Sequence, residues 1–354
     1  MEYVVKNRRI IKWTHYNREP TRYCNLFICV LSRKSGYQAL QYIDATFIVT
    51  PMKLLSLFIL LYWIPIAFGA DAYISAETFR EHSRPRTLKL RSHVALVFDE
   101  RDKEVIFSRH AEDVVPIASL TKLMTAMVIL DAGLNMDDTI TISKEDKDRL
   151  RYSRSRLKRG MIFTRRDLLN IALAVSENRA AAALARTYPG GSSAFVEAMN
   201  NKAQFLGLVK TEFVDSAGLG NGNVSTAQEL SQLVLAASIY PEIREFTTQT
   251  KESITDLKRK REIVFGNSNR LVKRDAWPIT LSKTGFTSDA GNCLVMKTVI
   301  NDRSVIMVLL NSWGKLSKYG DSNRIRNWLK KTERSIIRKQ ARELVREQAS
   351  IAKL

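Results

Sequence analysis

Residues 116–133 read PIASLTKLMTAMVILDAG, and what this stretch forms decides how the rest of the chain is organised. Pro116-Ile117-Ala118 lead into apolar residues at the spacing of an amphipathic helix, with Gly133 as a stop. If Ser119 opens that helix, Lys122 lies one turn later on the same face, and its amine can reach the serine hydroxyl. A serine hydroxyl is a poor nucleophile until a nearby base takes its proton, and a neutral lysine can be that base. A helix amino terminus also presents free backbone N–H groups where an oxyanion could form. The S-x-x-K spacing alone is weak, because it recurs at Ser155/Lys158, Ser312/Lys315 and Ser350/Lys353. Its surroundings have to discriminate.

Upstream, HVALVFDE (93–100) and EVIFSR (104–109) flank a turn at Arg101-Asp102-Lys103, the pattern of a β-hairpin. Downstream come a short strand-like TITIS (139–143) and a long helical run over 165–188, ended by Pro189-Gly190-Gly191. A second helical pattern covers 194–206, and Thr226 stands three residues before Glu229 in a capping-box spacing. WPITLSKTGF (277–286), GNCLVMKTVI (291–300) and SVIMVLLNS (304–312) are strand-like, and DSNRIRNWLKK (321–331) is the last helix candidate. Strands, then helices, then strands predict a mixed α/β domain. Its antiparallel sheet is built from both chain ends, with a helical region packed against it.

Two further motifs gain meaning beside Ser119. Ser176-Glu177-Asn178 is the only S-x-N in the chain, and it interrupts an alanine- and leucine-rich helical run where buried polar groups need partners. Pointed into a cleft beside Ser119, Ser176 would relay protons, while Asn178 would hold a substrate amide and Lys122. Lys283-Thr284-Gly285, also unique, lies on ITLSKTGF. An edge strand can pair with an extended peptide, a lysine and a hydroxyl can hold a carboxylate, and glycine lets a backbone approach closely. Lys283 would also disfavour protonation of Lys122 by like charge.

The chain has 354 residues, 56 Lys+Arg against 36 Asp+Glu, and a net charge of +20. Residues 1–51 carry +5 of this and residues 332–354 carry +3, and the remainder is spread along the chain. No finger, RNP-like motif or basic heptad accompanies it, so nucleic acid is not expected as a partner. His15, His82, His93 and His110 show no paired ligand spacing, which speaks against a zinc peptidase. Cys293 stands alone in the body, with Cys24 and Cys29 before residue 52. After Met52-Lys53, the uncharged and strongly apolar 17-residue run 54–70, interrupted by Pro65, resembles a secretory signal, with small residues at Gly69, Ala70 and Ala72. The expected divisions are an upstream extension (1–51), a signal (52–72), a catalytic domain (73–331) and a basic helical tail (332–354). The tail reads as a solvated extension of the last helix. The alternative is a weak interfacial helix on anionic lipid.

Taken in order, the three motifs resemble the penicillin-binding, active-site-serine D,D-peptidases. PIASLTKLMTAMV, AVSENRAAAALARTYPGG, GNSNRLV, LSKTGFTSDAGNCLVM and GDSNRIRNWL narrow it to the small periplasmic D-alanyl-D-alanine endopeptidases, with the carboxypeptidases as near relatives. The resemblance spans about residues 90–331. It implies a transpeptidase-like α/β fold with a five-stranded antiparallel sheet and a helical subdomain. It implies that Ser119 forms an acyl-enzyme, Lys122 takes its proton, and Ser176 assists proton transfer. Asn178 would position the substrate, and Lys283, Thr284, Gly285 and Phe286 would bind it, with the N–H groups of Ser119 and Phe286 as the oxyanion hole. The implied partners are peptidoglycan stem peptides and β-lactam inhibitors, the implied place is the periplasm, and no metal or organic cofactor is required. Glu177 departs from the S-D-N form and is read as a variation within this branch.

Endopeptidase action is expected over carboxypeptidase action, because only 71 residues follow Lys283 and leave no room for an added carboxy-terminal domain. A β-lactamase would need a water-activating glutamate in an E-x-x-x-N loop, and none is expected between Asn178 and Lys283. A non-catalytic peptidoglycan-binding scaffold would be preferred had a catalytic position been lost. All are present.

Overall fold

A computed structural model of the chain describes residues 73–352 and, ahead of them, the short strands Tyr3–Lys6, Arg9–Lys12, Tyr23–Asn25, Phe27–Ile28 and Thr46–Ile48. The chain divides into two units, residues 1–73 and 74–354. In the first, Arg9–Lys12 pairs with Tyr3–Lys6 and Phe27–Ile28, and Tyr23–Asn25 pairs with Thr46–Ile48. The signal-like segment 54–70 lies outside the described residues.

The second unit begins with α1 (Ala76–His82), followed by the expected hairpin of β1 (Ser92–Asp99) and β2 (Glu104–Arg109). Then come β3 (Val115–Pro116), α2 (Lys122–Asp131), β4 (Thr139–Thr141) and β5 (Ile162–Thr164). The helical middle holds α3 (Arg165–Ala174), α4 (Asn178–Arg186) and α5 (Gly191–Phe205). After β6 (Val224–Ser225) it closes with α6 (Ala227–Ala237) and α7 (Pro241–Thr248). The chain ends with the hairpin β7 (Lys251–Asp256) and β8 (Arg261–Gly266), strands β9 (Ile279–Thr287), β10 (Gly291–Ile300) and β11 (Arg303–Ser312), and α8 (Ser317–Ile351). No element was expected over 251–266. β7 nevertheless alternates exposed and buried residues along its length, as a half-buried strand does.

One five-stranded antiparallel sheet runs β9-β10-β11-β1-β2, so β9 is a free edge. Helices cover both of its faces, where the sequence suggested one. Val94, Leu96 and Phe98 of β1, with Ile306, Val308 and Leu310 of β11, join the core beneath α2–α7. Ala95, Val97, Val305, Met307 and Leu309 point the other way, into a second core with Phe79 of α1 and Trp328 of α8. Strands buried on both faces become continuous apolar runs, as SVIMVLLNS shows.

α2 is not amphipathic. Every residue from Lys122 to Ile129 is buried, and such a helix belongs in a core rather than on a surface. The long run 165–188 breaks where SEN interrupts it. Thr164 opens α3 with a capping box on Asp167, and Glu177 caps the start of α4. The expected final helix extends from Ser317 through the basic tail to Ile351.

Candidate active site

Ser119 lies in the short 3-10 turn Ala118–Thr121 that feeds α2. Ala118 enters it at φ +48°, a costly conformation for a residue with a Cβ, held by what packs around it. A Cβ on Gly218 would lie 1.9 Å from the Ala118 carbonyl oxygen, and one on Gly285 would lie 3.1 Å from the Ser119 nitrogen. Glycine is what lets the 215–223 loop and β9 close on the Ser119 turn from both sides.

Lys122 is fully buried. Its Nζ sits 2.8 Å from Ser119 Oγ, 2.8 Å from Asn178 Oδ1 and 2.6 Å from the Ala217 carbonyl oxygen. Loss of solvent brings its pKa down to about 7, against the opposing pull of Asp215, Glu177 and Asp148. A fraction of the amine is therefore neutral near pH 7, with a lone pair 2.8 Å from the serine oxygen. Ser119 Oγ also lies 3.3 Å from the Ala217 carbonyl.

Asn178 is the first residue of α4, placed by the chain reversal at Ser176, whose φ is +65°. The Asn178 amide gives its oxygen to Lys122 and donates from Nδ2 to Ser153 Oγ at 2.9 Å, which fixes its orientation. Ser176 is brought to this junction, but its hydroxyl is not among the partners of Ser119 or Lys122. Glu177 accepts from the Arg179 N–H, so the residue that departs from the expected Asp still does the capping.

On β9, Lys283 is buried and its Nζ donates to the Thr284 carbonyl at 3.1 Å. Burial, then the like charges of Lys122 and Lys318, hold its pKa well below the usual lysine range. Thr284 Oγ1 donates to Ser268 Oγ at 2.9 Å, and Ser268 N–H is bound by the carbonyl that ends α3, Ala174. Gly285 faces the Ser119 turn, and Phe286 follows, 65% exposed.

Several residues that shape the site escaped the motifs. The Asp215 carboxylate accepts from the N–H groups of Ala217 (2.7 Å), Gly218 (2.6 Å), Leu219 and Gly220 (2.7 Å) and from Asn223 Nδ2 (2.7 Å). That cage aims the Ala217 carbonyl at Lys122. The Asn223 carbonyl accepts from Ile117 N–H, joining the cage to the Ser119 turn. An acid followed by DSAGLGNGN glycines and asparagines was the available signal for a tight loop. Lys318 of α8 was unread, and donates to Asn292 Oδ1 at 3.3 Å. Arg151 ties Ser288, Asn221 and Asp289 together. The E-x-x-x-N spacing does occur between Asn178 and Lys283, at Glu197 and Asn201, but inside α5 rather than in a loop. Among the described residues, one group of three side chains could ligate a metal: His93 at the start of β1, with His110 and Asp113 in the turn that follows β2.

A model of the D-alanyl-D-alanine carboxypeptidase family matches residues 80–314. A D-alanyl-D-alanine endopeptidase of Pseudomonas aeruginosa is 42% identical over 277 residues, covering 78% of this chain and 88% of its own. One of Escherichia coli is 40% identical over 279 residues, covering 79% and 89%. Among solved structures, the Streptomyces K15 DD-transpeptidase superposes with a TM-score of 0.63 at 26% identity, over 68% of this chain and 97% of that one. Penicillin-Binding Protein D2 of Listeria monocytogenes in its ampicillin-bound form gives 0.60 at 30% identity, over 68% and 98%.

Proposed function

This chain belongs to the D-alanyl-D-alanine carboxypeptidase family of peptidases, and from that premise we propose that it cuts D-alanyl peptide cross-links in peptidoglycan through an acyl-enzyme on Ser119. It is a serine-type D-alanyl-D-alanine hydrolase. The observation that carries the assignment of roles is the contact of Lys122 Nζ with Ser119 Oγ at 2.8 Å, with the lysine pKa brought to about 7.

Neutral Lys122 takes the Ser119 proton as Oγ attacks the carbonyl carbon of the D-alanyl bond. The resulting oxyanion lies against the Ser119 and Phe286 N–H groups. Protonated Lys122 returns its proton to the leaving amine, the C–N bond breaks, and the acyl group stays on Ser119. Water then attacks the ester carbonyl as its proton passes to Lys122, the bond from the carbonyl carbon to Ser119 Oγ breaks, and Lys122 returns the proton to Oγ, freeing the acid and restoring the serine. Asn178 holds Lys122 and the substrate amide. Ser176, on the same junction, assists proton transfer once substrate is seated. Lys283 and Thr284 receive the substrate carboxylate, and free edge β9 pairs with the stem peptide.

Endopeptidase rather than carboxypeptidase action follows the relatives at 42% and 40% identity, both named endopeptidases. β-Lactams acylate the same serine, in keeping with the ampicillin-bound form of the Listeria protein. Residues 54–70 would export the chain to the periplasm, where this substrate lies. Digestion of purified muropeptides, analysed by mass, tests the reaction. Cross-linked dimers should fall to monomers with wild type and stay intact with Ser119→Ala. Release of terminal alanine alone would make the protein a carboxypeptidase.

A further inference from the structure

His93 is exposed at the start of β1, between buried Ser92 and Val94. His110 follows the last residue of β2 with φ +50°, and the turn it opens brings Asp113 back, Asp113 N–H bonding the His110 carbonyl. The two imidazoles stack, 4.6 Å between centroids and 12° from parallel. Asp113 Oδ2 lies 3.7 Å from His93 Nε2 and 3.6 Å from His110 Nδ1. All three ligand atoms fall within 4.8 Å of one another.

We propose that His93, His110 and Asp113 form a surface site for a borderline divalent cation, zinc above all. Two imidazoles and one carboxylate are a donor set that suits zinc and disfavours the oxygen-seeking calcium and magnesium. Tetrahedral zinc with bonds of about 2.0–2.1 Å separates its ligand atoms by roughly 3.4 Å. The two measured nitrogen–oxygen separations, 3.7 and 3.6 Å, are already near that edge. The rings lie nearly parallel, so their lone pairs meet on one ion when an imidazole swings out of the stack, a turn that the exposed positions of both side chains leave open. Water fills the fourth position. The bound ion ties β1 to the segment that runs through β3 into the Ser119 turn, so zinc stabilises the fold by mass action without entering the reaction.

The test is calorimetric titration of zinc chloride into the full chain, purified without a histidine tag. His15, Cys24 and Cys29 are also potential ligands in this chain, so the site is read as the difference between wild type and variants. Wild type should take up one equivalent with micromolar affinity that the His93→Ala, His110→Ala double variant lacks, and its melting temperature should rise with zinc where that of the variant does not. Asp113→Asn should weaken this binding about 10-fold or more. Labelling of Ser119 by fluorescent penicillin, equal in all these chains, shows that the variants are folded. Equal zinc uptake by wild type and double variant, or no uptake up to about 100 μM zinc, would overturn the proposal and leave the cluster an ion pair.

Discussion

At the Ser119 turn the decisive quantity is the charge on Lys122. Lys122→Arg keeps a cation but cannot accept a proton near neutral pH, so acylation by a chromogenic β-lactam should fall by about 10²–10⁴-fold. Asp215 acts one step further out, through the carbonyl of Ala217. Asp215→Asn would turn an N–H donor toward a cage of N–H donors, and the Ala217 carbonyl would lose its aim. The expected result is a fall in kcat/KM of roughly 10²-fold, as for misplaced catalytic groups, with Ser119 still labelled at long times. Wild-type kinetics in that variant would remove Asp215 from the site. The meeting of Ser119, Lys122, Asn178 and Lys283 was legible because motifs record side chains. Asp215 was not, because what it organises is backbone, and its sequence shows only an acid before glycines.

Among the elements, α2 and β9 hold the site between them. Leu123 and Met127 are wholly buried in α2, and Leu123→Ala should cost about 2–5 kcal/mol by chemical denaturation. Gly218→Ala meets both an unfavourable φ of +75° and the Ala118 carbonyl. It should lower the melting temperature by several degrees and slow acylation together, since one loop serves both fold and site. A melting temperature equal to wild type would mean that the loop yields. The break between α3 and α4 was readable as polar SEN inside an apolar run. The second helical layer was not, because an unbroken apolar strand does not say how many faces are covered. α2 misled for the same reason, since helical spacing of apolar residues cannot distinguish a helix with one dry face from one that is dry all round.

For the whole molecule, the two chain ends of the body meet in one sheet, and α8 closes the face away from the site. Arg91 and Ser92 N–H groups both bond the Asp321 carboxylate, which anchors α8 to β1. Beyond buried Ile336 the helix is exposed on all sides, including Leu344 and Ile351 at 58% and 65%. Truncation after Ile337 should therefore leave the melting temperature within about 1 °C and labelling of Ser119 unchanged. A clear loss of stability would show that the tail packs on the domain. The central claim is that Ser119 is activated by a lysine kept partly neutral by burial. Protonation removes the lone pair, so the reactive form is present above the pKa of about 7 and lost below it. The most direct test is the rate of Ser119 acylation by fluorescent penicillin from roughly pH 5.5 to 8.5. The account predicts a rate that rises through about pH 7 to a plateau, with no labelling of Ser119→Ala at any pH. A flat profile, or one still climbing steeply at the alkaline end, would contradict it.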